Sequence, residues 1–359
     1  MTMTVERERF FEGDEFEVVA QLTADAPVTY AVRLELPRGM WMVSETLRCT
    51  GAAIDAELRW RVRAESWGHS PVGPVVVVAH SEDLLSQAEV RSSSRRVTVF
   101  PVTEALARPP LPRTLPNRLG NHTSRTVGEG IEFAGIRPLG AGDSVRRLNW
   151  RASARFQRPF ITQLHVERSC ELVLVVDSYS DVGPSGHTSL DVSIRSAASV
   201  AQFFLAANDR VGLVAMGGVL RWVSAESGSR HYVRILQSLL DTHDTVTVVR
   251  PALERLPRVV LPAGALVVLF SPLLDERAVQ LARDLRERRF PLVVVDVLTA
   301  DPYVDRTTAA SGVALQMWRL QRRVMCAQLA DIGAHVIPWD GTGSLDAVFA
   351  ALPTGGRVG

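Results

Sequence analysis

The sequence contains no lysine: the 40 lysine and arginine side chains counted in its 359 residues are all arginines. Arginine can take most surface roles of lysine, so this bias indicates a GC-rich genome and not a function. The absence of lysine excludes a nucleotide-binding P-loop, whose G-x-x-x-x-G-K-[ST] motif requires one. The 39 acidic residues leave a net charge of +1, so no global field favours nucleic acid or an acidic membrane surface.

Cysteines and long apolar runs are also scarce. The three cysteines, Cys49, Cys170 and Cys326, lie far apart and form no C-x-x-C pair, which is typical of a chain in a reducing compartment. The longest apolar runs, such as residues 75–79 and 172–176, are too short to span a bilayer. The N-terminus has no apolar segment of the secretory type. We therefore expect a cytoplasmic protein that meets the inner face of the membrane only through partners.

Residues 5–105 alternate between apolar and polar side chains, as antiparallel strands with one buried face do. The clearest runs have apolar residues at every second position: Phe16, Val18, Ala20 and Leu22; Tyr30, Val32, Leu34 and Leu36; Leu58, Trp60, Val62 and Ala64. Turn-forming residues separate the runs at 25–27, 37–39 and 67–71. This pattern predicts a small β-sandwich over residues 1–106.

The second half of the chain alternates between aliphatic runs and helical patterns. Five runs have the character of strands buried on both faces: residues 172–176, 211–215, 265–270, 292–297 and 335–337. Helical spacing is clearest in two series of apolar residues: Leu190, Ile194, Ala197, Ala198, Ala201 and Leu205; Val313, Met317, Leu320, Val324 and Leu329. Alternation of this kind predicts a doubly wound, mostly parallel sheet over residues 168–359.

Two further segments lie between these regions. A linker is predicted over residues 107–127, because its four prolines prevent a regular hydrogen-bond ladder. Residues 128–167 then carry a spaced set of motif residues: Gly130, Phe133, Arg137, Gly142, Asp143, Arg146, Trp150, Ala154 and Arg155. Their chemistry favours a polar staple that pins the linker to the second domain, since arginine binds carboxylates bidentately and stacks on tryptophan. A partner-docking surface built from the same arginines and tryptophan is the main alternative, and catalysis a third.

The spacing of these motif residues resembles that of bacterial proteins grouped as domain-of-unknown-function family 58, with Leu139 in place of the usual tyrosine. The resemblance implies an immunoglobulin-like β domain, then this motif segment, then a von Willebrand factor A-like (Rossmann-like) domain. Genes of the family often lie beside a gene for a MoxR-type AAA+ ATPase, which implies a protein partner of that class. Many members also carry two N-terminal transmembrane helices, for which this sequence has no candidate.

Asp177 ends the aliphatic run at 172–176, at the edge where open α/β sheets bind ligands. In von Willebrand A-like domains the pattern Asp-x-Ser-x-Ser holds a divalent cation there, and a threonine and a further aspartate complete the cage. Here Tyr179 and Asp181 stand in place of the serines, and a phenol reaches too far for the octahedral geometry that Mg²⁺ demands. We interpret Asp177 and Asp181 as vestigial ion positions, with Asp177 hydrogen-bonded to loop amides, and expect no metal and no other cofactor.

A retained but altered ion site, and an unrelated use of the crevice, are the alternatives at this edge. Two further loops lack the expected ligands: the stretch SAESGSRHY has Ser227 and Ser229 but no threonine, and SPLLDE has its nearest carboxylate at Asp275. The sequence has no G-x-S-x-G, no H-E-x-x-H and no spaced set of histidines that would indicate catalysis.

These observations predict a non-enzymatic bacterial adaptor or scaffold in which the metal-ion-dependent adhesion site of the second domain is degenerate. The expected partner is a protein, a MoxR-type AAA+ ATPase by resemblance, and not nucleic acid. The expected binding surface combines eight positions: Arg137, Gly142, Asp143, Arg146, Trp150, Arg155, Ser227 and Arg230. A metal-dependent adhesion-type module with an altered Mg²⁺ or Mn²⁺ site is the alternative function, followed by an enzyme that uses the sheet crevice.

Overall fold

A computed structural model of the chain describes residues 1–43, 52–81, 86–107, 127–128, 132–140, 143–165, 171–217, 220–242, 260–303 and 309–350. Within these ranges a β-rich N-terminal region is followed by a small three-stranded sheet and then by an α/β region. The predicted combination of a β region with an α/β region that contains a mainly parallel sheet is therefore confirmed. Most of the predicted linker, residues 108–126, lies outside the described residues.

The described residues of the N-terminal region contain nine strands: β1 (Thr2–Val5), β2 (Arg9–Phe11), β3 (Glu15–Leu34), β4 (Met40–Met42), β5 (Ala52–Ala64), β6 (Gly68–Val72), β7 (Val75–Ser81), β8 (Gln87–Arg91) and β9 (Arg95–Phe100). They make a six-stranded sheet, in the order β4-β5-β3-β7-β8 with β1 beside β3, and a three-stranded sheet, β2-β9-β6. The alternating apolar residues of β3 and β5 share one core with residues of the smaller sheet, such as Phe10 and Val99. Alternation in the sequence thus marks one buried face on each long strand.

Residues 68–72, most of which were predicted to form a turn, are instead a strand. β6 pairs antiparallel with β9, with Gly68 opposite Val99 and Val72 opposite Arg95. Pro71 can lie within β6 because this strand is at the edge of its sheet, where a missing N–H costs no ladder hydrogen bond. The prediction of a turn at 67–71 is wrong, because glycine, serine and proline also occur together in edge strands.

The motif segment folds around a second three-stranded sheet. Its elements are β10 (Val127–Gly128), β11 (Glu132–Pro138), a short 3-10 helix (Val145–Arg147), α1 (Trp150–Phe156) and β12 (Phe160–His165). The strands are antiparallel in the order β10-β12-β11, and Pro138 at the end of β11 is opposite Phe160 at the start of β12. The connection that carries the arginine and tryptophan side chains of the motif therefore lies beyond one end of this hairpin.

The α/β region contains six strands and five helices within the described residues. They follow in the order β13 (Glu171–Asp177), α2 (Ser189–Ala206), β14 (Arg210–Met216), β15 (Arg221–Glu226), α3 (Ser229–Leu240), β16 (Leu266–Ser271), α4 (Glu276–Glu287), β17 (Leu292–Asp296), α5 (Ala309–Asp331), β18 (His335–Pro338) and α6 (Leu345–Ala350). The strand order in the sheet is β15-β14-β13-β16-β17-β18. β15 is antiparallel to β14, and the remaining neighbours are parallel.

Helices cover both faces of this sheet, which accounts for the continuous aliphatic runs of its strands. In β13, Leu172 and Leu174 belong to the core that also contains residues of α2, α3 and α6. Val173 and Val175 belong to the core that contains residues of α4 and α5. The alternating residues of one strand therefore pack against two different helical layers.

α2 also contacts the N-terminal region. Three residues spaced four apart on this helix make the contacts: Asp191, Arg195 and Ser199. Trp67 Nε1 donates to Asp191 Oδ1 at 2.9 Å, and Arg195 donates to the two carboxylate oxygens of Glu12 at 2.8 and 2.9 Å. The backbone N–H of Glu104 donates to the Ser199 hydroxyl at 2.9 Å. Because residues four apart share one face of a helix, a single row of α2 joins the two regions.

α5 confirms the helix predicted from the apolar series between Val313 and Leu329, but not the burial that such a series normally indicates. Leu329 is buried, whereas the other four members of the series are about half exposed. α5 has 23 residues. In the part of the chain that the structure describes, no helix combines the length and the apolar composition needed to cross a membrane.

Candidate functional site

Three polar side chains lie at the carboxyl edge of the parallel sheet. Asp177 ends β13, Ser271 ends β16 and Asp296 ends β17. The register places Val176 beside Phe270 and Ser271 beside Asp296, so the three side chains lie on neighbouring strands at the same edge. Open α/β sheets bind their ligands at this edge, which makes it the first candidate for a site.

The Asp177 carboxylate is buried, with 1% of the residue exposed, and each of its oxygens accepts a hydrogen bond. The Ser271 hydroxyl donates to Oδ2 at 2.6 Å, and the backbone N–H of Tyr179 donates to Oδ1 at 2.9 Å. Burial raises the pKa of Asp177 to about 6, although both hydrogen bonds act in the opposite direction. The expected bond from a loop amide is therefore present, and a serine hydroxyl from a neighbouring strand adds the second.

A guanidinium group lies next to this carboxylate. The Cζ atom of Arg277 is 3.6 Å from the centre of the Tyr179 ring, and the guanidinium donates to both oxygens of Asp275 at 2.8 and 2.6 Å. Two effects smaller than burial and the hydrogen bonds also act on the pKa of Asp177: the charge of Asp275 raises it, and the charge of Arg277 lowers it. Asp275 also caps α4 by accepting the backbone N–H of Arg277 at 2.9 Å. The Arg277 guanidinium thus places a positive charge at this edge, where the Tyr179 ring and the Asp275 carboxylate hold it in position.

A second pair of an acid and an arginine lies at the end of β17. Asp296 forms a salt bridge with Arg322 of α5, with only 12% and 13% of the two side chains exposed. Burial raises the pKa of Asp296, and the charge of Arg322 opposes that rise. Sequence reasoning does not single out this pair. The sequence does contain a signal that could have pointed to Asp296. The run LVVVD ends on this acid, just as an aliphatic run ends on Asp177.

Tyr179 and Asp181, which stand where the ion-binding pattern has serines, make other contacts at this edge in the described part of the chain. The Tyr179 ring is covered by Arg277, and Asp181 Oδ1 accepts the backbone N–H of Leu190 near the start of α2, at 3.0 Å. No group of three or more His, Cys, Asp or Glu side chains among the described residues could hold a metal ion. Mg²⁺ requires several oxygen ligands around one point, whereas the carboxylates here are directed into separate hydrogen bonds and ion pairs.

Ser227 and Arg230 lie at the opposite end of the parallel strands from Asp177. β15 runs antiparallel to β14, and Glu226 at its end is opposite Val211 at the start of β14. The loop after β15 therefore returns to the amino edge of the parallel strands, whereas Asp177 is at their carboxyl edge. An antiparallel edge strand reverses the chain, and the sequence pattern does not reveal that reversal.

In the motif segment, Arg137 and Asp143 form a bidentate ion pair at 2.7 and 2.6 Å. Asp143 Oδ2 also accepts the backbone N–H of Gly140 at 2.7 Å, so the carboxylate closes the turn that follows β11. The hydrogen bonds that Arg137 donates to Asp143 are the main cause of a raised pKa for the Arg137 guanidinium. These contacts hold the motif segment in its own shape. Gly142 lies outside the described residues.

The motif segment also presents apolar side chains to the surface, from β11 and from the connection that follows it. Four of them are exposed, by 43 to 74%: Ile136, Val145, Trp150 and Phe156. Trp150, the most exposed of the four, begins α1 directly after Asn149, whose side chain caps the helix by accepting a backbone N–H at 3.0 Å. Arg146 and Arg155 are exposed as well. The structure thus brings an aromatic side chain and predicted arginines together on one connection.

Comparison with known proteins gives one family match. The family model described as a protein of unknown function, DUF58, matches residues 135–308. Uncharacterized proteins of Mycobacterium bovis and Mycobacterium tuberculosis are 30% identical over 123 residues, which cover 33% of this chain and 39% of each relative. The chain therefore spans about 39% of the length of the curated relatives that it matches.

Among solved structures, the cupredoxin domain of amoB from Nitrosocaldus yellowstonii matches 27% of this chain and 82% of its own, at 10% identity and a TM-score of 0.21. A likeness at that TM-score carries no argument about this fold. The family match is more informative, because residues 135–308 include most of the motif residues and the carboxyl ends of β13, β16 and β17. The family expected from the motif is confirmed by this match, in which residues 135–308 are similar to the DUF58 family.

Proposed function

We propose that this chain is a non-enzymatic bacterial scaffold that binds another protein through the exposed side of its motif segment. In this proposal the N-terminal region is immunoglobulin-like, and the α/β region is von Willebrand factor A-like with a degenerate adhesion site. The observation that carries the proposal is the 74% exposure of Trp150 at the start of a capped helix. Tryptophan is among the residues that contribute most to protein interfaces, so a fixed and exposed tryptophan favours a docking role.

The composition of the surrounding surface supports this role. Val145 and Phe156 add apolar area, and Arg146 and Arg155 add arginine, the charged residue most enriched at the centre of interfaces. The Arg137–Asp143 pair fixes the turn before binding. A surface that is already ordered loses less conformational entropy when a partner binds, which favours affinity.

The state of the acids at the sheet edge supports a non-enzymatic role. A general acid or base has to come within hydrogen-bond reach of its substrate. Asp177 is 1% exposed and its oxygens accept bonds from Ser271 and Tyr179, while Asp296 is paired with Arg322. These acids are therefore engaged in holding neighbouring strands and helices.

The partner class that we propose is a MoxR-type AAA+ ATPase. The support for this class is the resemblance of the motif to its family and the chemistry of the surface. The connection between β11 and β12 carries five arginines: Arg146, Arg147, Arg151, Arg155 and Arg158. A basic surface with an exposed aromatic residue fits a partner that offers carboxylates around an apolar pocket.

Affinity capture from a lysate of the source organism, with the full chain as bait, tests this proposal. We expect the wild-type chain to recover a AAA+ ATPase, and Trp150→Ala to lower the recovery about tenfold or more, because truncating an interface hot spot costs about 2 kcal/mol. Trp222→Ala is the matched control, since Trp222 on β15 is also exposed, by 49%. Recovery without an ATPase, or equal losses in both variants, would contradict the proposal.

A metal-dependent adhesion-type module is the second candidate function. The observation in its favour is the position of Asp177, a buried carboxylate at the carboxyl end of β13. In that function Tyr179 and Arg277 would have to separate to admit a cation. The two functions therefore differ in whether divalent cations stabilise the folded chain.

A further inference from the structure

α5 has two apolar faces on opposite sides. The inner face is partly or fully buried: Leu315, Trp318, Met325, Cys326 and Leu329. Of these, Met325, Cys326 and Leu329 pack in the core that contains residues of the sheet and α4. The outer face consists of Val313, Met317, Leu320 and Val324, which are exposed by 57, 58, 55 and 48%. At about 100° per residue, the outer residues lie on the far side of the helix from the inner ones. We call these four residues the outer stripe.

The outer stripe is continuous, which distinguishes it from ordinary exposed apolar residues. Single exposed apolar side chains are normal on a protein surface. Here four of them follow one another over about 17 Å of a single helix, at a rise of 1.5 Å per residue. Contiguous exposed apolar surface of this kind marks an interaction site. Since the inner face already packs on the protein, the outer stripe is available to another molecule.

The spacing of the outer stripe is that of a coiled-coil seam. Its residues follow one another by four, three and four positions, and Ala310 and Ala327 extend the series by three positions at each end. This is the alternation of three and four that places seam residues on one side of a helix. α5 therefore presents six consecutive seam positions, and its seam matches another helix with the same alternation.

The residues that flank this seam permit pairing with a second copy of the same helix. Charges at the flanking positions select the partner of a coiled coil. The flanking positions of α5 are nearly uncharged: Ala314, Gln316, Gln321, Arg323 and Gln328. When two copies of α5 pair, Arg323 faces Gln316 of the other copy in antiparallel pairing and Gln328 in parallel pairing. No like charges meet in either direction, and the flanks offer nothing that favours a strongly acidic or basic partner.

We infer that the outer stripe of α5 is the interface of a homodimer, in which α5 of one copy packs against α5 of a second copy. This inference does not depend on the proposed function, because it uses a different surface. Six seam positions bury less area than a standard interface of about 1,600 Å², so we expect a weak and reversible dimer. Interfaces of standard size have dissociation constants from µM to pM, so for this smaller one we take a value on the order of 10 µM.

Sedimentation velocity of the full chain, over a concentration range that spans this dissociation constant, tests the inference. We expect Leu320→Glu to raise the dissociation constant about tenfold or more, because it places two like charges in an apolar seam. Val90→Glu is the matched control, since Val90 on β8 is a comparable exposed side chain at 47%. Both residues are largely exposed, so both variants are expected to fold, and unchanged melting temperatures verify this.

A dimer that weakens in Leu320→Glu and not in Val90→Glu supports the inference. A wild-type chain that stays monomeric throughout the range overturns it and assigns the outer stripe to a different protein. A dimer that is equally strong in Leu320→Glu also overturns it, because its interface then lies elsewhere. Equal weakening of the dimer in both variants also overturns the inference, since the loss of affinity is then not specific to α5.

Discussion

Replacing Glu12 by alanine is expected to lower the free energy of unfolding by about 3 kcal/mol or more. The Glu12 side chain is 6% exposed and accepts two hydrogen bonds from Arg195, at 2.8 and 2.9 Å. It also accepts the backbone N–H groups of Trp67 at 3.2 Å and Val102 at 2.9 Å. Alanine would leave a largely buried guanidinium and two N–H groups without this carboxylate, which costs far more than loss of an exposed ion pair.

Denaturant unfolding, followed by tryptophan fluorescence and by circular dichroism, measures this effect. Because Glu12 and Arg195 join the N-terminal region to α2, we also expect the unfolding of the variant to separate into two transitions. Glu226→Ala is the matched control, since Glu226 pairs with Arg234 while both side chains remain more than half exposed. An unchanged midpoint in Glu12→Ala, or equal shifts in both variants, would show that this contact does not hold the regions together.

Replacing Asp177 by asparagine is expected to remove a pH dependence of stability worth about 3 kcal/mol. Burial raises the pKa of Asp177 from 3.8 to about 6 in the folded chain. A carboxyl group with a raised pKa binds its proton more tightly in the folded than in the unfolded state. Its contribution to stability is therefore complete below about pH 4 and is lost as the pH rises through 6.

The measured quantity is the difference in unfolding free energy between Asp177→Asn and the wild type from pH 4 to pH 8. We expect the difference to move in favour of the variant between pH 4 and pH 6 and then to level off. Tyr179, Asp275 and Arg277 are common to both proteins, so their own titration contributes little to the difference. Ser271→Ala provides a second check: its hydroxyl lowers the pKa of Asp177, so its loss should move the transition to higher pH. A difference that does not vary with pH would contradict the burial of an ionisable Asp177.

The parallel sheet could be predicted because burial on both faces leaves a direct trace in the sequence. The aliphatic runs at 172–176 and 292–297 became β13 and β17, and the acid at the end of the first run marked the correct edge. The partners of that acid could not be predicted. Ser271 is 94 positions from Asp177 in the sequence, and their contact depends on the strand order, which local patterns do not encode.

The predictions that the structure corrects concern edges and faces. The turn predicted at residues 67–71 is wrong because residues 68–72 form an antiparallel edge strand, where polar residues replace the aliphatic pattern. On α5, helical spacing predicted the helix correctly. It did not show which side faces the core, because the helix has an apolar series on each side. No local sequence pattern could have predicted the ion pair between Glu12 and Arg195, since these residues are 183 positions apart.

The central claim is that Arg277 and its neighbouring acids close the sheet edge without a divalent cation. It is tested most directly by the melting temperature of the wild-type chain with and without that cation. Melting is measured in saturating MgCl₂ or MnCl₂ and in chelator, at matched ionic strength. We predict equal melting temperatures in all three solutions. A ligand at 100 times its Kd adds about 2.7 kcal/mol, so a rise of several degrees in Mg²⁺ or Mn²⁺ that disappears in Asp177→Asn would contradict the claim.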